Sequence, residues 1–131
     1  MQIDITFPGG KRVDASFGPF VVHTDQSPQA GGEGTAPEPY SYFLASIGTC
    51  AGIFVLGFCQ ARGIPTEGLR LTETVEWDRA AHRLSRVRID IHLPKGFPEK
   101  YKDAVKRAAE SCSVKKTIFD PPEFLVETHE S

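Results

Sequence analysis

Neither sign of charge dominates this chain, in which 15 lysines and arginines stand against 17 aspartates and glutamates. A nucleic-acid partner, which calls for a basic patch or stripe, is therefore not expected. The opening Met1-Gln2-Ile3-Asp4-Ile5 alternates apolar and polar residues and lacks the basic, apolar, small-residue order of a signal peptide, so a cytoplasmic protein is expected. Cysteine is scarce, at three residues, with no Cys-x-x-Cys, and His23, His82, His92 and His129 fall on strand or turn positions rather than at ligand spacing. Neither a disulfide framework nor a metal centre is expected from that pattern. A nucleophile elbow, a phosphate loop and a dinucleotide fingerprint are all missing, and no repeat or low-complexity run is present. The 131 residues fit a single domain, 1–131, with room for a real core.

Charge is also missing locally. Between Glu38 and Arg62 lie 23 residues, Pro39 to Ala61, without a charged side chain. A helix of that length runs on the order of 35 Å, enough to cross a bilayer. Three features argue against a membrane: Ser41, Ser46, Thr49, Gln60 and the glycines dilute the apolarity, no basic cluster flanks the stretch, and the rest of the chain alternates like a β protein. A helix apolar all round must be covered all round, which predicts a wrapping sheet with a second helix, or a partner subunit. Gly48 and Gly52 then mark close packing against a neighbour.

The remaining chain supplies such cover. Ile3, Ile5 and Phe7, then Val13, Ala15 and Phe17, then Phe20 to Thr24 predict an antiparallel meander broken at Pro8-Gly9-Gly10 and Gly18-Pro19. Asp25 to Pro37 is a loop of unusual length, which marks it as functional. Pro39 suits the first turn of the long helix, and Gly63 and Pro65 stop it. Leu69, Leu71, Val75 and Trp77 share one face of a strand that Glu73 interrupts. Asp78 to His82 turns the chain, and Leu84 to Leu93 completes a long hairpin. Pro98 opens a second, amphipathic helix with an apolar stripe of Phe97, Tyr101, Val105, Ala108 and Cys112. Val114 to Phe119 predicts a further helical turn, and Phe124 to Thr128 a closing strand. The fold class expected is α+β, helices on antiparallel sheet.

Cys50 and Cys59 are about two and a half helical turns apart, roughly 13 Å along the axis, and point to opposite sides, so they cannot be bridged. Cys50 and Cys112 both sit on helices expected to share one core, and their periodicity permits contact. Small buried hydrophobes remain one reading of all three thiols. The other starts from Cys112, where Ser111 is placed to cap a new turn with Lys115 and Lys116 near the thiol, a setting that stabilises a thiolate.

Gly31-Gly32, Pro37-Glu38-Pro39-Tyr40 and Phe43-Leu44-Ala45-Ser46-Ile47-Gly48-Thr49-Cys50 resemble the signature of the OsmC/Ohr family, the osmotically inducible and organic hydroperoxide resistance proteins. Ala108-Ala109-Glu110-Ser111-Cys112-Ser113-Val114-Lys115-Lys116 resembles the family's second cysteine motif. The resemblance implies an intertwined homodimer in which both chains bury the long helix. It implies a thiol-dependent peroxidase with no cofactor, in which Cys50 is oxidised by a hydroperoxide, Cys112 closes a disulfide, and an external dithiol, lipoyl compounds among the candidates, reduces it. It further implies an arginine near the first strand turns, here Arg12, and a glutamate nine or ten residues before the first cysteine. Those positions hold Ser41 and Tyr40, which leaves Glu38 as the substitute. The missing glutamate keeps a second reading open, a non-catalytic protein that binds a hydrophobic small molecule or senses redox state.

Overall fold

Alternating apolar residues and paired glycine turns build the first sheet, and a charge-free run builds the long helix. The computed structural model describes residues 1–130. Its elements are β1 (Asp4–Gly9), β2 (Arg12–Phe17), β3 (Phe20–Thr24), α1 (Pro39–Ala61), β4 (Arg70–Asp78), β5 (Arg83–His92), α2 (Lys102–Glu110) and α3 (Ser113–Phe119), with short 3-10 turns at Pro28–Ala30 and Glu99–Tyr101. The α+β class and the antiparallel sheets are as the sequence predicts. The chain divides into two compact units, Met1–Ala45 and the part that follows from Ser46.

In the first unit β1, β2 and β3 form an antiparallel meander in that order. Ile5 lies opposite Ala15 and Ala15 opposite Val22, so the predicted apolar face is shared across the three strands. β1 continues to Gly9 through an irregularity after Thr6, which moves the turn to Gly10-Lys11. The loop beyond β3 is organised on Asp25. Its carboxylate accepts from the Gln26 amide at 2.7 Å, the Thr35 amide at 3.0 Å and the Thr35 hydroxyl at 2.6 Å. Its own amide donates to Pro37 at 3.2 Å and closes the loop. These bonds, led by the Thr35 hydroxyl, lower the Asp25 pKa from 3.8 to about 2.

In the second unit α1 buries Ile47, Ala51, Val55 and Cys59, a stripe in steps of four. Ala51, Val55 and Cys59 join Ile64, Phe97, Val105 and Ala109 in one core, against which Leu71, Ile89 and Ile91 of the β4–β5 hairpin pack. Burying Val55 and Val105 contributes about 1.5–3 kcal/mol each. One chain thus covers one side of α1 rather than all of it: Ile53 is 59% exposed and Phe54 37%.

The structure corrects the sequence reading at three places. Phe124 to Thr128 is not a strand, and Phe124, Leu125 and Val126 are exposed; an extended segment becomes a strand only where a ladder partner takes its backbone groups. α2 buries Val105 and Ala109, with Tyr101 packing from the turn before it, and the helix ends at Glu110 before Cys112 is reached. Ser111 closes α2, its amide donating to Ala108 at 3.1 Å and its hydroxyl to Arg107 at 3.2 Å, so it does not cap the next helix. Cys112 occupies that position, with φ −56° and ψ 126°.

Candidate active site

The helix break at Ser111-Cys112 makes the site. A helix leaves its first amides without internal partners. Here the amides of Val114 and Ser113, at the start of α3, lie close enough to Cys50 to lower the pKa of its thiol. The Cys112 thiol favours the ionised form of Cys50 in the same way, and it donates to the Ile47 carbonyl oxygen at 4.0 Å. Cys112 is fully buried and Cys50 half-buried.

This geometry favours a thiolate at Cys50. The Val114 amide and then the Cys112 thiol lower its pKa, partial burial opposes them, and the Ser113 amide and the Lys115 ammonium add to the lowering. Cys59, on the core side of α1, behaves in the opposite way: burial raises its pKa, and Arg62 offsets that only in part. The two thiols of one helix are therefore shifted in opposite directions, Cys50 toward the thiolate and Cys59 toward the neutral thiol.

An apolar cavity of about 370 Å³ shares Ile47 with the surroundings of Cys112 and Lys115 with those of Cys50; Val87, Ile89, Ile91, Ile118 and Phe119 complete its walls, with Lys106 and Glu110 as further polar groups. The cavity is large enough for the hydrocarbon part of a small organic molecule. No group of three metal-ligating side chains occurs among the described residues.

The other two sequence candidates lie in the first unit. Arg12 is exposed, and its Nε donates to the Gly9 carbonyl at 3.2 Å across the β1–β2 turn. Glu38 is half-buried, and its Oε1 accepts from the Ser27 amide at 3.2 Å, tying the Asp25 loop to the start of α1. Sequence reasoning missed the amides of Ser113 and Val114 as thiolate ligands. Serines on both sides of Cys112 are of the residue type that ends and restarts helices, and Ser111 had already marked a new turn.

Glu73, which interrupts the apolar face of β4, points at α1. Its carboxyl meets the Gly48 amide, and a Cβ on Gly48 would overlap Oε2. Oε1 is buried without a partner, and desolvation raises the pKa above the ordinary 4.5. Gly52 has open space beside it, so of the two helix glycines it is Gly48 whose close approach is required.

Solved structures with the same fold include an osmotic stress induced and detoxification response protein of Psychrobacter arcticus, 21% identical, with a TM-score of 0.75 over 89% of this chain and 87% of that one. An organic hydroperoxide resistance protein OsmC of Legionella pneumophila is 20% identical, with a TM-score of 0.58 over 90% of this chain and 89% of the other. An organic hydroperoxide resistance protein of Vibrio cholerae, with captopril in one of its active sites, is 18% identical, with a TM-score of 0.60 over 89% and 84%. No curated protein matches the chain. Although α1 is long and apolar enough to cross a membrane, it is a core helix of this shared fold. Residues 32–127 match the family described as OsmC-like protein, and they take in α1, both cysteine motifs and the α2–α3 break: the chain belongs to the OsmC-like family.

Proposed function

We propose that this protein is a cytoplasmic, cysteine-based peroxidase that reduces organic hydroperoxides. The observation that carries the proposal is the lowered pKa of Cys50, whose thiol lies near the helix break at Cys112, where the Val114 and Ser113 amides and the Cys112 thiol favour its ionised form. The family's association with hydroperoxide resistance, and the captopril-bound active site of the Vibrio cholerae relative, support a site that accepts a small organic molecule.

The Cys50 thiolate attacks the distal oxygen of the hydroperoxide. The O–O bond breaks, the alkoxide takes a proton and leaves as alcohol, and Cys50 becomes a sulfenic acid. Cys112 then attacks the sulfenic sulfur, water departs with the Cys112 proton, and a Cys50–Cys112 disulfide forms. An external dithiol returns both cysteines to thiols and is itself oxidised to a disulfide. Lys115, beside Cys50 and on the apolar cavity, offsets the thiolate charge while the cavity takes the organic group. Arg12 and Glu38 enter by resemblance alone, Arg12 as the cation for thiolate and peroxide oxygen and Glu38 as the carboxylate that orients the arginine. The engagement of Glu38 with Ser27 supports a loop-anchoring role for it instead.

We propose a homodimer as the working form, supported by the exposed apolar face of α1 at Ile53 and Phe54. The second reading, a non-catalytic binder of a hydrophobic molecule, is favoured by Tyr40 and Ser41 standing where the family's glutamate would be.

One equivalent of cumene hydroperoxide, followed by intact mass and peptide mapping, separates the two. The peroxidase reading expects a fast Cys50–Cys112 bridge, absent from Cys50→Ser, and steady turnover with a dithiol. Slow, scattered oxidation that includes Cys59 would mark ordinary buried thiols, overturn the peroxidase reading and leave the binding reading to be tested.

A further inference from the structure

At the end of α1, away from Cys50 and Cys112 in sequence, three cations gather with no acid among them. Arg62, Lys95 and Lys100 line one cleft of about 420 Å³, whose remaining walls include Ile64, Phe97 and Tyr101. Like charges brought together on a chain with a net charge of −2 repel, and none of the three has an ion pair among the described residues. The neighbouring acid, Glu99, is taken by Lys102 at 2.6 Å and does not line the cleft.

Arg62 is pinned. Its guanidinium carbon lies 3.6 Å from the Phe58 ring centroid, and Nη1 donates to the Phe58 carbonyl at 3.2 Å. That bond quenches part of the negative end of α1, which would otherwise repel an anion, and leaves further guanidinium N–H donors. Arg62 and Lys100 lie 5.5 Å and 5.0 Å from the centroid of the same Tyr101 ring. The Tyr101 hydroxyl has no hydrogen-bond partner among the described residues, and Ile64, Pro94 and Phe97 are buried beneath.

We propose that this cleft binds a small organic phosphate carrying a flat ring. The phosphoryl oxygens take Arg62, Lys95 and Lys100, and the ring lies against Phe97 and the adjoining prolines. Three cations suit a dianion better than a single carboxylate, and a guanidinium matches phosphate geometry. The site is separate from the thiol chemistry and does not depend on the peroxidase reading.

Phenyl phosphate is the probe, with inorganic phosphate and phenol as its two halves, each titrated into the whole chain by calorimetry. Saturable binding of phenyl phosphate, with each half at least about tenfold weaker, is expected. Lys95→Gln/Lys100→Gln should weaken it by about 10- to 100-fold, as should Arg62→Gln, and added salt should weaken it further. Cys50→Ser should leave it unchanged. The exposed lysines can be replaced without disturbing the core, which keeps the test decisive if Arg62→Gln affects folding. No saturable binding up to about 10 mM, equal affinity for inorganic phosphate, or unchanged affinity in the lysine variant overturns the proposal.

Discussion

The Cys112 thiol stands beside the Cys50 sulfur at the point where one helix stops and the next begins, so the two residues are neighbours through a break in regular structure. Cys50 should therefore alkylate with iodoacetamide at a pH midpoint below that of an ordinary thiol, near 9.0. Lys115→Gln should move that midpoint upward and Lys115→Arg should restore it. Cys59 should react only on unfolding. An unshifted Cys50 midpoint in the wild-type protein would remove the basis for a stabilised thiolate.

Glu73 offers a stability test that leaves the thiols untouched. Its folded pKa is raised, so the native state holds the proton more tightly than the unfolded chain does. Stability is full at low pH and falls as pH rises from about 4.5 through the higher folded value. Glu73→Met, similar in shape and without an orphaned buried oxygen, should stabilise the protein by about 1–2 kcal/mol at neutral pH and flatten that pH dependence. Urea unfolding at several pH values measures both.

Asp25 has the opposite sign. Its pKa is lowered from 3.8 to about 2, so the stability it contributes is present above pH 3.8 and lost as pH falls toward 2. Asp25→Asn should lower Tm at neutral pH and remove that part of the acid transition. Gly32→Ala should be worse tolerated, by about 1–3 kcal/mol, because a Cβ there would run into the Gln26 carbonyl and Asp25 Oδ1. Thermal scans across pH 2 to 7 distinguish the loop's charge from its packing.

The exposed half of α1 gives an assembly test. With Ile53 and Phe54 in a subunit interface, Ile53→Asp should convert a dimer to a monomer in sedimentation velocity. A wild-type protein that sediments as a monomer at about 100 μM would remove the homodimer from the proposal.

What could be read from the sequence depended on the distance over which each decision was made. Glu38 and Arg62 bracket α1 to the residue, because charges rarely enter a covered helix face. Period-two alternation likewise placed β2, β3 and the hairpin. The restart of helix after Ser111 was legible in the sequence, but its cap falls one residue later, at Cys112, because the apolar spacing from Phe97 through Val105 runs on through the break at helical period. Glu73 stood out as an acid on an apolar face, yet its partner, Gly48, has no side chain to announce the contact. Asp25 was hidden for a related reason, since most of its partners are backbone amides. The tail at Phe124 alternates like a strand whether or not anything pairs with it.

The β4–β5 hairpin carries an irregularity with a practical side. Glu76 pairs with Arg86 and Trp77 with Leu84, so Ser85 is passed over, and its hydroxyl donates to the Glu76 carbonyl at 3.0 Å. The bulge leaves Trp77, the chain's single tryptophan, 52% exposed near the hairpin tip. Its emission reports on fraying of that tip, whereas circular dichroism follows the helices that hold the thiols. Two melting curves that fail to overlay would thus record where the fluorophore sits before they recorded a folding intermediate.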